Sequence, residues 1–224
     1  MTGFWSAVMA LLWKDVLAEL RSRDIVISML VFALISMVIF NFALRPSPQM
    51  ITTVAPGILW VAFTFAGILG LTRIFVRERD NGNLTGLLLT PFSREAIYIG
   101  KVSGIFLFMI TAEMILLPVF AVLFNLFPFR PELLLIILLA TIGFSSIGTL
   151  FSAIAINTHS REIMLPILFF PIMVPIIISA VVSSGIALDG GSLSDMSGWI
   201  QLIVVFDVLA LVLSAFAFEH ILQE

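Results

Sequence analysis

Six stretches of this chain are each too long and too apolar to be anything but helices crossing a lipid bilayer. A spanning helix needs about 20 consecutive, mostly apolar residues. The first stretch, Ile25 to Leu44, carries no charge at all. The second runs from Val54 to Thr72, the third from Val102 to Phe124 with Glu113 inside it, and the fourth from Leu133 to Asn157. The fifth, Ile163 to Ala187, holds Pro166, Pro171 and Pro175, and the sixth, Trp199 to Phe218, holds Asp207. In lipid only helices and closed barrels satisfy their backbone hydrogen bonds. Barrel strands alternate apolar and polar residues over about 10 positions, whereas these runs are continuously apolar and about twice as long. The composition agrees: 61% of residues are hydrophobic and 11% charged, with a mean hydropathy of +1.19. A soluble domain has about 45–50% and about 25% of each. The expected fold is therefore an all-α membrane protein of six transmembrane helices, a single domain over residues 1–224 in contact with lipid.

The same residues exclude several functions. Cysteine is absent, which removes disulfides, thiolate metal sites and cysteine nucleophiles. A net charge of −3 offers nucleic acid no basic surface. No cleavable signal peptide is expected, because Lys14, Asp15 and Glu19 interrupt the first apolar residues. Basic residues set the orientation. Lys14, Arg21 and Arg23 precede the first span, Arg73, Arg77, Arg79, Arg94 and Lys101 lie between spans two and three, and Arg161 lies between spans four and five. Only Arg45 and Arg130 fall on the other side. The positive-inside rule places the richer side, and with it both termini, in the cytoplasm.

Two regions lie outside the spans. In residues 1–24, Trp5, Val8, Met9, Leu12, Val16 and Leu20 recur at helical spacing while Lys14, Asp15, Glu19 and Arg21 fall elsewhere. That pattern predicts an amphipathic helix lying in the cytoplasmic interface. Residues 73–101 form the longest cytoplasmic loop. Asp80-Asn81-Gly82 is turn and cap chemistry. Leu84, Leu87 and Leu88 share one helical face, Thr90-Pro91 stops that short helix, and Ser93 is placed to cap a second helix carrying Tyr98 and Lys101 into the third span. The leucine face is too short to cross the membrane. It either rests on the bundle or docks on a cytoplasmic partner.

At this loop the sequence resembles ABC-2-type transporter permeases. Glu78, Arg79, Gly82, Leu84, Leu87, Leu88, Thr90, Pro91, Arg94, Gly100 and Lys101 match the superfamily pattern, while Asn83 and Thr85 depart from its usual Thr and Glu. Within the superfamily the chain is similar to the haem exporter B family along nearly its whole length. The chain length, the early Lys14-Asp15 with Glu19 and Arg21, the run from Leu87 to Lys101 and the proline-rich LPILFFPIMVPIII carry that likeness. The resemblance implies a bacterial inner-membrane permease subunit of the ABC transporter for cytochrome c maturation. It further implies ATP on a separate ATPase subunit, haem on partner membrane subunits, and a homodimer that supplies two membrane halves. The coupling site to the ATPase would comprise Arg79, Leu84, Leu87, Leu88, Pro91 and Arg94. An ABC-2-type exporter permease for lipid, polysaccharide or drug shares the same mechanical features. No phosphate-binding loop of the G-x-x-x-x-G-K-[ST] type is present, since Gly100-Lys101 is followed by Val102 and Glu95 stands where the first glycine belongs.

Ionisable groups inside a membrane are functional candidates by default. Glu113 lies about 17 Å into the third span and Asp207 in the inner half or middle of the sixth. Each is either a gating element or a carboxyl kept protonated or bonded to Ser, Thr or Asn of a neighbouring helix. Pro171 and Pro175, one turn apart, are expected to kink a single fifth span. Gly143, Ser145, Ser146, Gly148, Ser152 and Ala153 favour close packing of the fourth. A haem ligand is not expected on this chain: its two histidines, His159 and His220, fall at cytoplasmic ends. An intramembrane enzyme is not expected either. Ser145 and Ser146 lie about 20 Å from His159 along one helix, and Asp207 has no aspartate counterpart in another span.

Overall fold

The computed structural model describes residues 3–44, 47, 50–80, 92–156 and 161–221. They form seven helices, and no strand occurs among them: α1 Phe4–Ser22, α2 Asp24–Leu44, α3 Ile51–Asp80, α4 Arg94–Phe124, α5 Pro131–Ile156, α6 Arg161–Leu188 and α7 Ser197–Ile221. Helices α2 to α7 are each long and apolar enough to cross a bilayer, and they correspond to the six expected spans. The protein is a multi-pass membrane protein.

Local chemistry explains where the helices begin and end. Between α1 and α2 stands Arg23 alone, in the left-handed conformation at φ 57°, its N–H bonded to Glu19 O. The Glu19 side chain then turns to the start of α2, where Oε1 accepts from Ile25 N at 3.0 Å and Val26 N at 2.9 Å. A carboxylate there satisfies two orphan donors and complements the positive end of the helix dipole. Ser93 caps α4 as expected, its hydroxyl oxygen accepting from Ala96 N at 3.3 Å. Pro131 opens α5, where its missing N–H costs nothing. Beyond α6, Gly190 takes φ 94° and Gly191 N bonds Ile186 O at 2.9 Å, a left-handed stop that suits glycine.

One boundary extends well past the sequence expectation. Helix α3 continues from Thr72 to Asp80, so residues 73–80, read as loop, are helical. Nothing in Arg73–Asp80 breaks a helix before Asn81-Gly82. Helix α6 is continuous from Arg161 to Leu188 through Pro166, Pro171 and Pro175, a single span rather than two half-helices. Pro56 and Pro118 likewise sit inside α3 and α4.

Burial sorts the helices into centre and perimeter. The most apolar stretches of α3 and α5 are 72% and 67% buried, those of α2 and α7 only 22% each. Helix α5 touches α3, α4, α6 and α7. The outer face of α7, including Val205, Val208, Leu209, Leu213 and Phe216, is exposed and suits lipid. Because lipid tails are as apolar as leucine, centre helices associate through close fit instead. Gly148 of α5 lies under Leu71 of α3, and Gly67 of α3 lies under Phe144 of α5; a Cβ at either glycine would collide with the facing side chain. The small residues of α5 pack as the sequence suggested, with Ser145, Ser146, Thr149 and Ser152 all buried.

Helix α1 packs on α4 and α2 in an orientation that revises the simple amphipathic picture. Trp5, Met9, Trp13 and Leu20 form an exposed apolar stripe, while Ala7, Val8 and Leu11 are buried on the opposite side. The expectation that the acidic residues fall clear of the packed face does not hold for Glu19, which is 5% exposed. Its Oε1 is taken up by the two capping bonds to α2.

Candidate functional site

Helix α4 carries the polar groups that link the basic end of the molecule to its interior. At its start Arg94 is half-buried and Ser93 exposed. One turn further in, Tyr98 is fully buried. Its hydroxyl lies 2.7 Å from Ser146 Oγ and 3.3 Å from Ser146 O on α5, and its ring packs 5.3 Å from that of Phe218 on α7. Next comes Lys101, 3% exposed, with Nζ 2.9 Å from Asp15 Oδ2 of α1. Lys14 Nζ approaches the other oxygen, Asp15 Oδ1, at 3.1 Å. Gly100 lets α1 come this close, because a Cβ there would stand 3.0 Å from Leu11 Cβ. A buried ammonium requires a partner, and α1 supplies it.

Glu113 lies twelve residues further, about 18 Å along the helix, and is 2% exposed. Thr141 Oγ1 of α5 stands 2.9 Å from Oε2 and 3.1 Å from Oε1, and also 2.8 Å from Ile137 O. Glu113 thus has a hydroxyl partner on a neighbouring helix, a contact compatible with both the gating and the structural reading. Asp207 of α7 reaches α5 from another side. It is 5% exposed, and neither of its oxygens has a hydrogen-bond partner among the described residues. The carboxyl rests in a notch made by Gly143, where a Cβ would collide with Oδ1 and with Ile176 Cδ1 of α6. Thr141 and Gly143 are two residues apart, which puts them about 200° around α5 and about 3 Å along it. The two carboxyls therefore flank α5 at one depth, on opposite sides, and do not form a pair.

The other expected site residues separate. Arg79 lies in the last turn of α3, and its side chain is outside the described residues, as are Leu84, Leu87, Leu88 and Pro91 and with them the expected coupling helix. Pro171 is on the exposed face of α6, near Ile167, Ile172 and Val174, and Pro175 is half-buried. His159 is also outside the described residues. Sequence reasoning missed the Asp15–Lys101 pair, the Glu19 cap and the Tyr98–Ser146 bond. A lysine opening an apolar run is a signal that an acid must approach it, but its partner lay 86 positions away.

Comparison with known proteins adds independent information. The family model described as CcmB protein matches residues 6–224. The chain is similar to proteins named heme exporter protein B. One from Pseudomonas aeruginosa is 30% identical over 190 residues, covering 84% of this chain and 83% of that protein. The Haemophilus influenzae protein is 26% identical over 211 residues, 94% of each. The Rhodobacter capsulatus protein is 30% identical over 170 residues, 75% of this chain and 78% of the other.

Proposed function

This chain belongs to the CcmB protein family, and on that premise we propose that it is the membrane permease subunit of a haem-exporting ABC complex that serves cytochrome c maturation. It is a transporter component. ATP is hydrolysed on a separate ATPase subunit, and haem is handled by partner membrane subunits, whether as cargo that crosses the membrane or as a haem-loaded chaperone awaiting release. The subunit sits in the bacterial inner membrane with both termini in the cytoplasm.

The observation that carries the coupling part of this reading is the unbroken course of α4. From its Ser93 cap the helix runs past Lys101 to Glu113 without interruption. Nucleotide-driven closure of an ATPase can move helices in lipid only through a rigid contact. A push delivered at Arg94 reaches Glu113 about 28 Å away, and the Asp15–Lys101 pair makes α1 follow. The contact with the ATPase is assigned to residues 80–101, with Leu84, Leu87 and Leu88 filling an apolar groove and Arg79 and Arg94 at its rim.

Replacing Leu87 and Leu88 together by Asp tests the assignment. Burial of one leucine is worth about 1.5–3 kcal/mol, and buried aspartates add desolvation cost. The expected product is a membrane-inserted protein that no longer retains the ATPase on purification, while Glu113→Gln retains it. Full copurification of the ATPase with the double variant would overturn the coupling assignment. Reporter fusions at Asn81 and at the C-terminus should report cytoplasm; a periplasmic Asn81 would overturn the orientation.

A further inference from the structure

Asp207 is an ionisable side chain that the fold encloses without answering. It lies on the buried line of α7 with Ile203, Ala210, Ser214 and Phe218. Neither of its oxygens has a hydrogen-bond partner among the described residues, and the carboxyl is seated in the Gly143 notch of α5 beside Ile176. We infer that this seat is a binding site for one proton, that Asp207 carries the proton there as an uncharged acid, and that the seam between α5 and α7 parts when the proton leaves. The donor set selects a proton over other cations. A calcium ion takes about six to eight oxygen ligands, and no cluster of three or more acidic or histidine side chains occurs among the described residues. A carboxyl alone binds a proton. The gap at Gly143 is too small for a methyl group, so water does not fit between the carboxyl and α5. An uncharged acid tolerates such a seat far better than a carboxylate with neither donor nor counter-ion.

Helices α4, α5 and α6 pack against α7, and none of them brings a charge to the seat. Helix α6 has no titratable residue from Ile163 to Leu188, and α5 has none from Leu133 to Ile156. On α4, Glu113 is held by Thr141 on the other flank of α5, Lys101 is paired with Asp15, and Arg94, Glu95 and Tyr98 stand at the basic end. On α7 itself the nearest are Glu219 and His220, more than three turns away. The route for the proton runs to that basic end. The Tyr98 hydroxyl meets Ser146 Oγ of α5 at 2.7 Å and the Ser214 side chain of α7. Ser146 is about one turn from Gly143 and Ser214 about two turns from Asp207, so these hydroxyls line the same seam, and water entering from the basic end meets them first. The departing proton passes to that water. Helix α7 can yield, because only 22% of its apolar stretch is buried, against 67% for α5.

Two measurements on the full-length chain in lipid nanodiscs test the site. The chain has no cysteine, so Ala210→Cys places a single thiol on the buried line, one turn from Asp207 toward the basic end. Its labelling rate with a water-soluble maleimide is compared with that of Ala210→Cys/Asp207→Asn, which shares the thiol chemistry but has no proton to lose. The ratio of the two rates should rise about tenfold per pH unit from neutral to alkaline pH, the slope of one linked proton, while the Asn variant stays protected. A ratio that does not change with pH, or an Asn variant labelled as fast as the alkaline Asp protein, would overturn the proposal. The second measurement leaves Asp207 and Ala210 in place. In Glu113→Gln, Asp207 is the remaining carboxyl within the spans. Its carboxylic-acid carbonyl stretch should be present in the infrared spectrum at about pH 6, where surface carboxylates are already ionised. It should vanish at alkaline pH, return on acidification, and be missing throughout from Glu113→Gln/Asp207→Asn. A band absent at the lower pH, or one that persists at alkaline pH, would equally overturn the proton site.

Discussion

The basic end of this bundle and its mid-membrane layer treat charge in opposite ways. At the basic end Lys101 is matched by Asp15 at 2.9 Å, Glu19 caps α2, and Ser93 caps α4. In the middle, among the described residues, Glu113 has a hydroxyl and no cation, and Asp207 has no hydrogen-bond partner. The difference follows from where partners can come from. Helix α1 is not a span, so it brings an acid to Lys101 without inserting that acid deep into lipid. A cation facing Glu113 or Asp207 would itself have to cross into the bilayer at a cost of about 2.5–3.5 kcal/mol or more. Neighbouring spans therefore offer hydroxyls and glycines. The basic end is fastened by its charges, whereas the mid-membrane carboxyls meet a hydroxyl and a glycine notch on α5.

Stability measurements on the purified protein can break this contrast, and the largest effect is expected at the fastening. Asp15→Leu leaves Lys101 buried without its counter-ion and should cost about 3–5 kcal/mol, read as a fall in the detergent unfolding temperature. Lys101→Met should cost clearly less, because Asp15 keeps Lys14 at 3.1 Å. Equal losses from the two variants would show that the pair does not bear the load assigned to it.

A smaller effect is expected where Asp207 meets α5. Gly143→Ala places a methyl against the carboxyl and Ile176, an overpacking worth about 1–3 kcal/mol. Adding Asp207→Ala should recover part of that loss. Additive losses in the double-mutant cycle would mean that the notch and the carboxyl do not interact.

The two carboxyls themselves should then diverge. Thr141→Val strips Glu113 of its hydroxyl and should cost about 1–3 kcal/mol, yet Glu113→Gln, which keeps a polar partner for Thr141, should cost less than about 1 kcal/mol. Asp207→Leu removes a group with no hydrogen-bond partner among the described residues and should be neutral or stabilising. Destabilisation by Asp207→Leu as large as that from Thr141→Val would erase the distinction between them.

The smallest effect concerns the turn between α6 and α7. Ser192 N and Ser192 Oγ both donate to Asp195 Oδ2 at 2.8 Å, and these bonds, the backbone one foremost, hold the Asp195 carboxyl below its usual value. A depressed folded value contributes order above the unfolded value of about 3.9 and loses it as pH falls through the folded one. Amide exchange at Ser192 should therefore quicken, relative to its intrinsic rate, only below about pH 4, with the spans unaffected. Unchanged protection of Ser192 in that range would rule the bond out as the cause.

The sequence by itself determined the membrane class, the number of spans, the Ser93 cap and the family, because apolar length and local cap chemistry are written in consecutive residues. It also pointed to Glu113 and Asp207, since a charge within an apolar run is visible without a fold. It left Glu113 open between two readings and gave no partner to Lys101, Glu19 or Tyr98. Only the tertiary structure decided that Thr141 serves Glu113, that Gly143 receives Asp207, that Asp15 returns across 86 positions to Lys101, and that the acidic Glu19 turns inward. Those outcomes depend on which faces of neighbouring helices meet. In lipid that choice comes from the fit of glycines and small residues against particular side chains, and no periodicity along one helix records it.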